Sequence, residues 1–142
     1  MSTVLAEQDA VRRRVGRLGL GPKPRELEVA SRAGFAGTLA TLTTAVGADA
    51  GVAATPVPAL GPTTRLGGKS VGAAAVAARR AQHQALAAEG RALGVWWLDR
   101  VAAVDAPYPE RMTWFWHGHF ATSIQKVRFA KVMYAQNETF RR

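Results

Sequence analysis

The sequence predicts an all-α fold: an irregular bundle of about five or six helices with a long Gly/Pro-rich loop. Apolar residues recur at helical spacing in several segments, and no segment shows the sustained period-two alternation typical of strands. Glycine and proline separate these segments, where they end one helix or begin the next. A chain of 142 residues is long enough for one domain with a modest core.

The first predicted helix carries its apolar side chains on one face. Val11, Val15 and Leu18 follow each other at i, i+4 and i+7, and arginines occupy most of the intervening positions. The glycines and prolines of residues 19–24 cannot continue the helix. The basic run is therefore interpreted as the solvated side of this helix.

Two further helices are predicted before the loop. Pro24 is a favoured first-turn residue and begins a short second helix, which Gly34 ends. The third helix has apolar residues at i, i+3 and i+7 over 39–46 and stops at Gly47.

Residues 47–70 are rich in glycine, proline and threonine and predict a loop or linker, which is long for a compact domain. Residues 67–70 (Gly-Gly-Lys-Ser) superficially match the end of a phosphate-binding loop. The full motif requires glycine where Thr63 stands, and a hydrophobic strand ahead of it is missing. Nucleotide binding is therefore rejected.

Residues 71–104 predict one long helix or two stacked helices. The apolar stripe of this segment comprises Leu86, Leu93, Trp97, Val101 and Val104, and Trp96 widens it. Gly90 and Gly94 either kink the helix or let another helix approach closely. Residues 105–109 then form a turn, and Pro109 opens the next helix.

The segment 110–123 places three consecutive aromatic residues beside a His-Gly-His triplet in a chain with three histidines. A helix that is apolar nearly all round is typically buried. We therefore expect residues 114–116 to lie at the centre of the core, packed against the stripe of Trp97. Thr122 or Ser123 is expected to cap a helix that begins near Gln125.

The candidate site residues are His117, His119 and Glu110. On a continuous helix the two imidazoles point about 200° apart and cannot share a metal. If the helix ends near His117 and Gly118 is left-handed, both rings can act together as metal ligands or as catalytic groups. Glu110 is then the nearest carboxylate in sequence, and Asp99 could reach the site only through tertiary packing. The structural alternative is that each histidine caps the helix end or satisfies a buried hydrogen bond. That alternative is favoured, because catalytic zinc usually takes three protein ligands.

Composition excludes some chemistry and leaves other chemistry open. With no cysteine, the chain has no disulfide, no thiolate nucleophile and no Cys-based zinc site. The net charge of +9 is spread along the chain and fits solvated arginines better than a nucleic-acid surface, so nucleic acid is not the expected partner. The N-terminus lacks the pattern of a signal peptide, and no stretch approaches the roughly 20 apolar residues of a membrane span.

The run 110–123, with Lys126-Val127, Gln136-Asn137 and residues 140–142, resembles a bacterial family of unknown function, family 1800. That family typically reads Glu-Arg/Lys-Met, then Phe-Trp-His-Asn-His-Phe, then Lys-Val and Gln-Asn ahead of an arginine. Residues 12–42 also fit its opening helices. Gly118 stands where the family often has asparagine, and both residue types favour a left-handed helix stop.

The resemblance implies that residues 1–142 are the N-terminal part of a single helical domain, because family members are several hundred residues long. Members are often exported, which leaves localisation open. The first hypothesis is a binding or catalytic pocket at the His-Gly-His turn, completed by C-terminal sequence. The alternatives are a non-enzymatic protein-interaction module and nucleic-acid binding through a basic surface. The expected partner is the rest of the domain or another protein, and the residues identify no cofactor.

Overall fold

A computed structural model describes residues 2–21, 24–44, 48–64 and 71–142, and every regular element in these ranges is an α-helix. The helices are α1 (Ser2–Leu18), α2 (Pro24–Thr43), α3 (Ala50–Ala54), α4 (Ala73–Ala103), α5 (Pro107–Phe120), α6 (Ile124–Val127) and α7 (Ala130–Arg141). The predicted all-α class is confirmed. The described residues form seven helices rather than five or six, and the two short ones, α3 and α6, account for the difference.

Helices α1 and α2 pack against each other around a small apolar cluster. Val11 and Val15 of α1 are buried against Ala30 of α2, as the periodicity of the first helix predicts, and Leu27 and Leu42 pack against this cluster. Burying valine and leucine side chains typically stabilises a fold by about 1.5–3 kcal/mol each. This cluster therefore fixes α1 on α2.

Gly34 interrupts α2, as predicted, but the chain resumes its helix after a kink. The backbone of Gly34 has φ 67° and ψ −176°, a conformation that side chains with a Cβ rarely adopt. The Thr38 hydroxyl, beyond the kink, donates to the Ala30 carbonyl at 3.0 Å in a buried position. The second and third predicted helices are thus two arms of one kinked element, and the predicted stop at Gly47 lies outside the described residues.

The described part of the predicted loop, residues 48–64, is mostly without regular structure, as predicted. It contains α3, whose start is capped by the Asp49 side chain. Residues 55–64 then run antiparallel to α4. The Trp96 indole N–H donates to the Thr55 carbonyl, and the Gln82 amide donates to the Thr64 carbonyl, each at 2.9 Å. Residues 65–70 lie outside the described ranges.

Asp49 joins α3 to the turn between α4 and α5. One carboxylate oxygen accepts from the backbone N–H of Val52 at 3.1 Å, and the other accepts from Asp105 and Ala106 at 3.0 Å each. Burial raises the pKa of this carboxyl, but the backbone hydrogen bonds outweigh burial and hold the pKa below its usual value. Asp49 therefore fixes the chain where it enters α5.

Helix α4 is one continuous helix of 31 residues, which decides between the two predicted arrangements. A Cβ on Gly90 would lie 3.1 Å from a side-chain carbon of Ile124, so the glycine allows the close approach of α6. Trp96 is the buried tryptophan of α4, at 5% exposure, although the periodicity centred the stripe on Trp97. Within the described residues, the buried apolar side chains are Val11, Val15, Ala30, Trp96, Val104 and Ala130.

Helix α5 packs mainly against α7 and also contacts α1. It begins at Pro107, two residues before the predicted Pro109. Within the described residues, no helix is both long and apolar enough to cross a membrane.

Candidate functional site

The predicted left-handed stop at Gly118 is wrong, because α5 continues through the whole His-Gly-His triplet to Phe120. The left-handed residue is Ala121, with φ 47° and ψ 34°. Residues two positions apart on a helix point about 200° apart. His117 is half-buried and faces α4 and α7, whereas His119 is exposed. The structure therefore does not bring the two histidines together on one side.

His117 lies among aromatic and amide side chains. Its ring centroid is 4.9 Å from that of Trp97 on α4 and 5.1 Å from that of Phe140 on α7. Its Nε2 atom is 3.4 Å from the Asn137 amide nitrogen, a contact that suits an imidazole with its proton on Nδ1. Burial lowers the pKa of His117 below its ordinary value, and the positive charge of Arg141 lowers it further. The ring is therefore neutral at neutral pH.

Glu110 is the most deeply buried of the candidate residues, at 2% exposure. Its carboxylate accepts hydrogen bonds from Trp97 Nε1 at 3.0 Å and from Arg100 Nε at 2.8 Å. Arg141 adds two more, from Nε at 2.6 Å and from Nη2 at 3.0 Å. Burial raises the pKa of Glu110, but the hydrogen bonds from Arg141 and Arg100 outweigh it and hold the pKa below its usual value. The carboxylate is ionised and has four donors, so it positions other groups.

Arg141 connects Glu110 to His117. Its guanidinium also donates to the Asn137 side-chain oxygen and to Glu138. The Asn137 amide nitrogen in turn faces His117, which completes a chain of polar contacts from the buried carboxylate to the imidazole. Asn137 and Arg141 had no role in the sequence prediction. The signal that could have found them is the resemblance itself, which includes Gln136-Asn137 and an arginine after it.

The buried side of α5 is polar, which overturns the expectation that residues 114–116 form the centre of the core. The fully buried residues of this helix are Glu110 and Thr113. Trp114 and Phe115 are 49% and 54% exposed, and Phe120 is 55% exposed. The expected contact with Trp97 is present, since its ring lies 5.6 Å from that of Trp114.

The outer side of α5 forms a continuous aromatic surface with α7. We call it the aromatic face; its residues are Phe115, Trp116, His119, Phe120 and Phe140. Neighbouring ring centroids within it are separated by 5.0 to 6.0 Å, from Phe115–Trp116 at 5.0 Å to Phe115–His119 at 6.0 Å. Such separations are typical of favourable aromatic contacts. Ring contacts thus connect all five residues of the aromatic face, although Phe115 and Phe120 are exposed to solvent.

A groove of about 590 Å³ lies between the C-terminal end of α1 and α5. Arg17 of α1 and Arg111 of α5 line it, together with Trp114 and Phe115. The Arg111 Nε donates to the Arg17 carbonyl at 3.1 Å, which fixes one guanidinium beside the other helix. The groove therefore combines positive charge with exposed aromatic rings.

The described residues offer no third ligand for a metal at the histidines. Within these residues no group of three or more His, Asp or Glu side chains is placed to hold a metal ion. Asp99 lies on the exposed surface of α4 beside the segment 55–58 and takes no part in the contacts of His117. Metal binding by His117 and His119 stays a prediction.

The comparisons with known proteins yield one match. A family model described as a protein of unknown function (DUF1800) matches residues 13–142. No curated protein and no solved structure matches the chain. The matched span includes the Glu110 contacts, the aromatic face and the groove. The chain therefore belongs to the DUF1800 family.

Proposed function

We propose that this chain is a non-enzymatic interaction module that docks a protein surface through its aromatic face. The observation that carries the proposal is the exposure of Phe115 and Phe120, more than half of each side chain, within a continuous set of rings. Soluble monomers rarely leave large contiguous apolar patches in water unless the patch binds something. The docked surface belongs to another protein or to further sequence of the same polypeptide.

The total accessible surface supports docking. It amounts to 9801 Å², whereas a compact monomer of 15.2 kDa exposes roughly 7,100 Å². The chain therefore exposes about 2,700 Å² more than a compact monomer of its mass. The aromatic face contributes to this surface, because Phe115 and Phe120 are each more than half exposed.

The exposed rings are large enough to contribute substantial binding energy. An aromatic side chain buries about 150–250 Å², so covering the exposed half of Phe115 or Phe120 removes about 100 Å² from water. At about 25 cal/mol per Å², each ring then contributes about 2.5 kcal/mol. Neither ring is among the buried residues, so polar replacements should alter docking far more than folding.

The test compares Phe115→Gln/Phe120→Gln with the wild type and with Val29→Gln. Val29 is a matched control because it is 62% exposed on a different helix, α2. We expect the wild type to bind an environment-sensitive apolar dye and to self-associate in sedimentation velocity as its concentration rises. The double variant should lose most of both signals, whereas Val29→Gln should retain them, with equal helicity by circular dichroism. A well-folded wild-type monomer that binds no dye would refute the proposal.

A binding or catalytic pocket around His117 is the second candidate function. The observation that favours it is the polar connection from Glu110 through Arg141 and Asn137 to a half-buried, neutral imidazole. Perturbed titratable groups in such surroundings are candidates for functional roles. His119 points to the other side of α5, so this pocket would use His117 without its neighbour.

Two measurements test the pocket. In an NMR titration, the His117 ring protons should show a midpoint below about pH 6.5. Calorimetric titration with Zn²⁺ tests the predicted metal binding by the two histidines: heat that is present for the wild type and lost in both His117→Ala and His119→Ala would show that both rings bind the ion. If replacing both histidines leaves metal binding unchanged, the pocket hypothesis fails.

A further inference from the structure

We infer that the groove between α1 and α5 binds an acidic peptide segment that also carries apolar side chains. Arg17 and Arg111 would bind the carboxylates of this segment, and Trp114 and Phe115 would pack against its apolar side chains. The inference rests on the proposed docking function and names the chemistry of the partner. Phe115 belongs to both surfaces, so the groove and the aromatic face adjoin.

The charge of the groove lacks compensation within the described part of the chain. No carboxylate there forms an ion pair with Arg17 or Arg111, and both residues are exposed. Arg100 and Arg141 differ in this respect, because both are paired with buried Glu110. The net charge of +9 adds a long-range attraction for an acidic partner. Guanidinium groups bind carboxylates in a planar, two-point geometry.

The apolar lining of the groove requires more than charge from its occupant. Leu18 and Met112 line it beside the two aromatic rings. Methionine and aromatic side chains are enriched at binding surfaces because they adapt to and cover apolar groups. An occupant with carboxylates alone would leave this lining uncovered, so the fitting partner alternates acidic with aromatic or aliphatic residues.

A single-stranded nucleic acid fits the groove less well than a peptide. Nucleic-acid sites combine stacking rings with a positive track along the backbone. Here the lining holds two arginines and His119, with no amide or hydroxyl side chain to contact base edges. Leu18 and Met112 offer apolar surface that matches aliphatic side chains better than polar bases.

The experiment selects peptides that bind the immobilised 142-residue chain from a phage library of random 12-residue peptides. Peptides that also bind the double variant Arg17→Gln/Arg111→Gln are then discarded. The best peptide, its Asp/Glu-to-Asn/Gln version and a 12-nucleotide oligothymidylate are then measured by fluorescence anisotropy. Arg12→Gln is the matched control, because Arg12 is also an exposed arginine of α1 but points to a different side of the helix.

We expect the selected peptides to place Asp or Glu beside aromatic or aliphatic residues. Each of Arg17→Gln and Arg111→Gln should weaken binding about fivefold, and the neutralised peptide should bind at least about tenfold weaker. Arg12→Gln should change binding less than about twofold. Phe115→Gln should weaken the acidic peptide as well, because its ring lines the groove.

Several results would overturn the inference. The selection could yield no peptide, or it could yield only neutral peptides. Alternatively, Arg12→Gln and Arg17→Gln could weaken peptide binding equally, or the oligonucleotide could bind more tightly than the peptide. Neutral apolar peptides that need Phe115 would leave the proposed docking function intact and remove only the acidic partner. The dye and sedimentation experiment uses no peptide, so it detects a failure of the docking function separately.

Discussion

Replacing Glu110 by glutamine should destabilise the fold strongly, although the two side chains have nearly the same shape. Glu110 is 2% exposed and accepts four hydrogen bonds, three of them from two arginines that are each 11% exposed. Glutamine removes the negative charge and turns an amide N–H₂ group toward these donors. Removing one partner of a buried ion pair typically costs about 3–5 kcal/mol.

The matched control is Glu138→Gln. Glu138 also accepts from Arg141, but its side chain is 33% exposed, so water can replace the lost contact. We expect it to cost less than about 1 kcal/mol. Urea denaturation, followed by tryptophan fluorescence and by circular dichroism, compares the free energies of unfolding of the two variants. The comparison requires that the free energy depends equally steeply on urea concentration in both. If Glu110→Gln costs no more than Glu138→Gln, the Glu110 contacts contribute little to stability and this reasoning is wrong.

The pH dependence of unfolding gives an independent measure of the same carboxylate. Because the folded pKa of Glu110 is lowered, its contribution to stability is present above its unfolded pKa of about 4.3. The contribution is lost as the pH falls through the folded pKa. Wild-type protein should therefore lose stability more steeply than Glu110→Gln below about pH 4.3.

Five further substitutions test the geometry by thermal and urea unfolding. Gly118→Ala should stabilise the chain by about 0.5–1 kcal/mol, because Gly118 lies inside α5 with nothing within 4 Å of an added Cβ; a loss of stability would indicate a non-helical turn there. Gly51→Ala should lower the free energy of unfolding by about 3 kcal/mol, because its Cβ would lie 2.0 Å from the Ala103 carbonyl oxygen. The control is Gly94→Ala on α4, which should stabilise the fold slightly because nothing lies within 4 Å of the added Cβ. Equal effects of these two changes would contradict the packing of α3 on α4. Asp49→Ala should cost about 2–3 kcal/mol through three lost backbone hydrogen bonds, and Asp49→Asn, which keeps one acceptor oxygen, should cost less.

The helices follow from local features of the sequence wherever those features are strong. The apolar spacing over 11–18 predicts α1 and its buried face, and Gly34 predicts the break in α2. Ser123 caps α6 as expected, by accepting from the backbone N–H of Gln125. These features act within one or two helical turns, so they can be read without knowing the fold.

The segment 47–70 shows what a local reading leaves open. Its glycines and prolines predict a loop or linker, and residues 55–64 form no helix, but α3 forms ahead of them and residues 55–64 lie along α4. Two of the contacts that hold this segment come from Trp96 and Gln82, which are 41 and 18 residues away from their partners. Composition records a low helix propensity but carries no information about such distant donors.

For the candidate site too, the sequence predicts some features and misses others. The cluster at 110–123 lies mostly on α5, and Glu110 and His117 belong to one connected set of contacts through Arg141 and Asn137. The pairing of His117 and His119 required the helix to end near His117, but α5 continues to Phe120 and the two rings point to different sides. The expected aromatic core is wrong, because the buried side of α5 carries Glu110. Its carboxylate accepts hydrogen bonds from two arginines and a tryptophan of α4 and α7.

The sequence by itself determined the helical class, the arginine-covered face of α1, the break at Gly34 and the family. Each of these depends on residue types at short, regular spacing. Only the tertiary structure decided which side of α5 is buried, because Glu110 meets Arg141 across 31 residues and that pairing leaves no local pattern. The aromatic residues that the sequence assigned to the core consequently face outward, where they form the surface proposed to bind a partner.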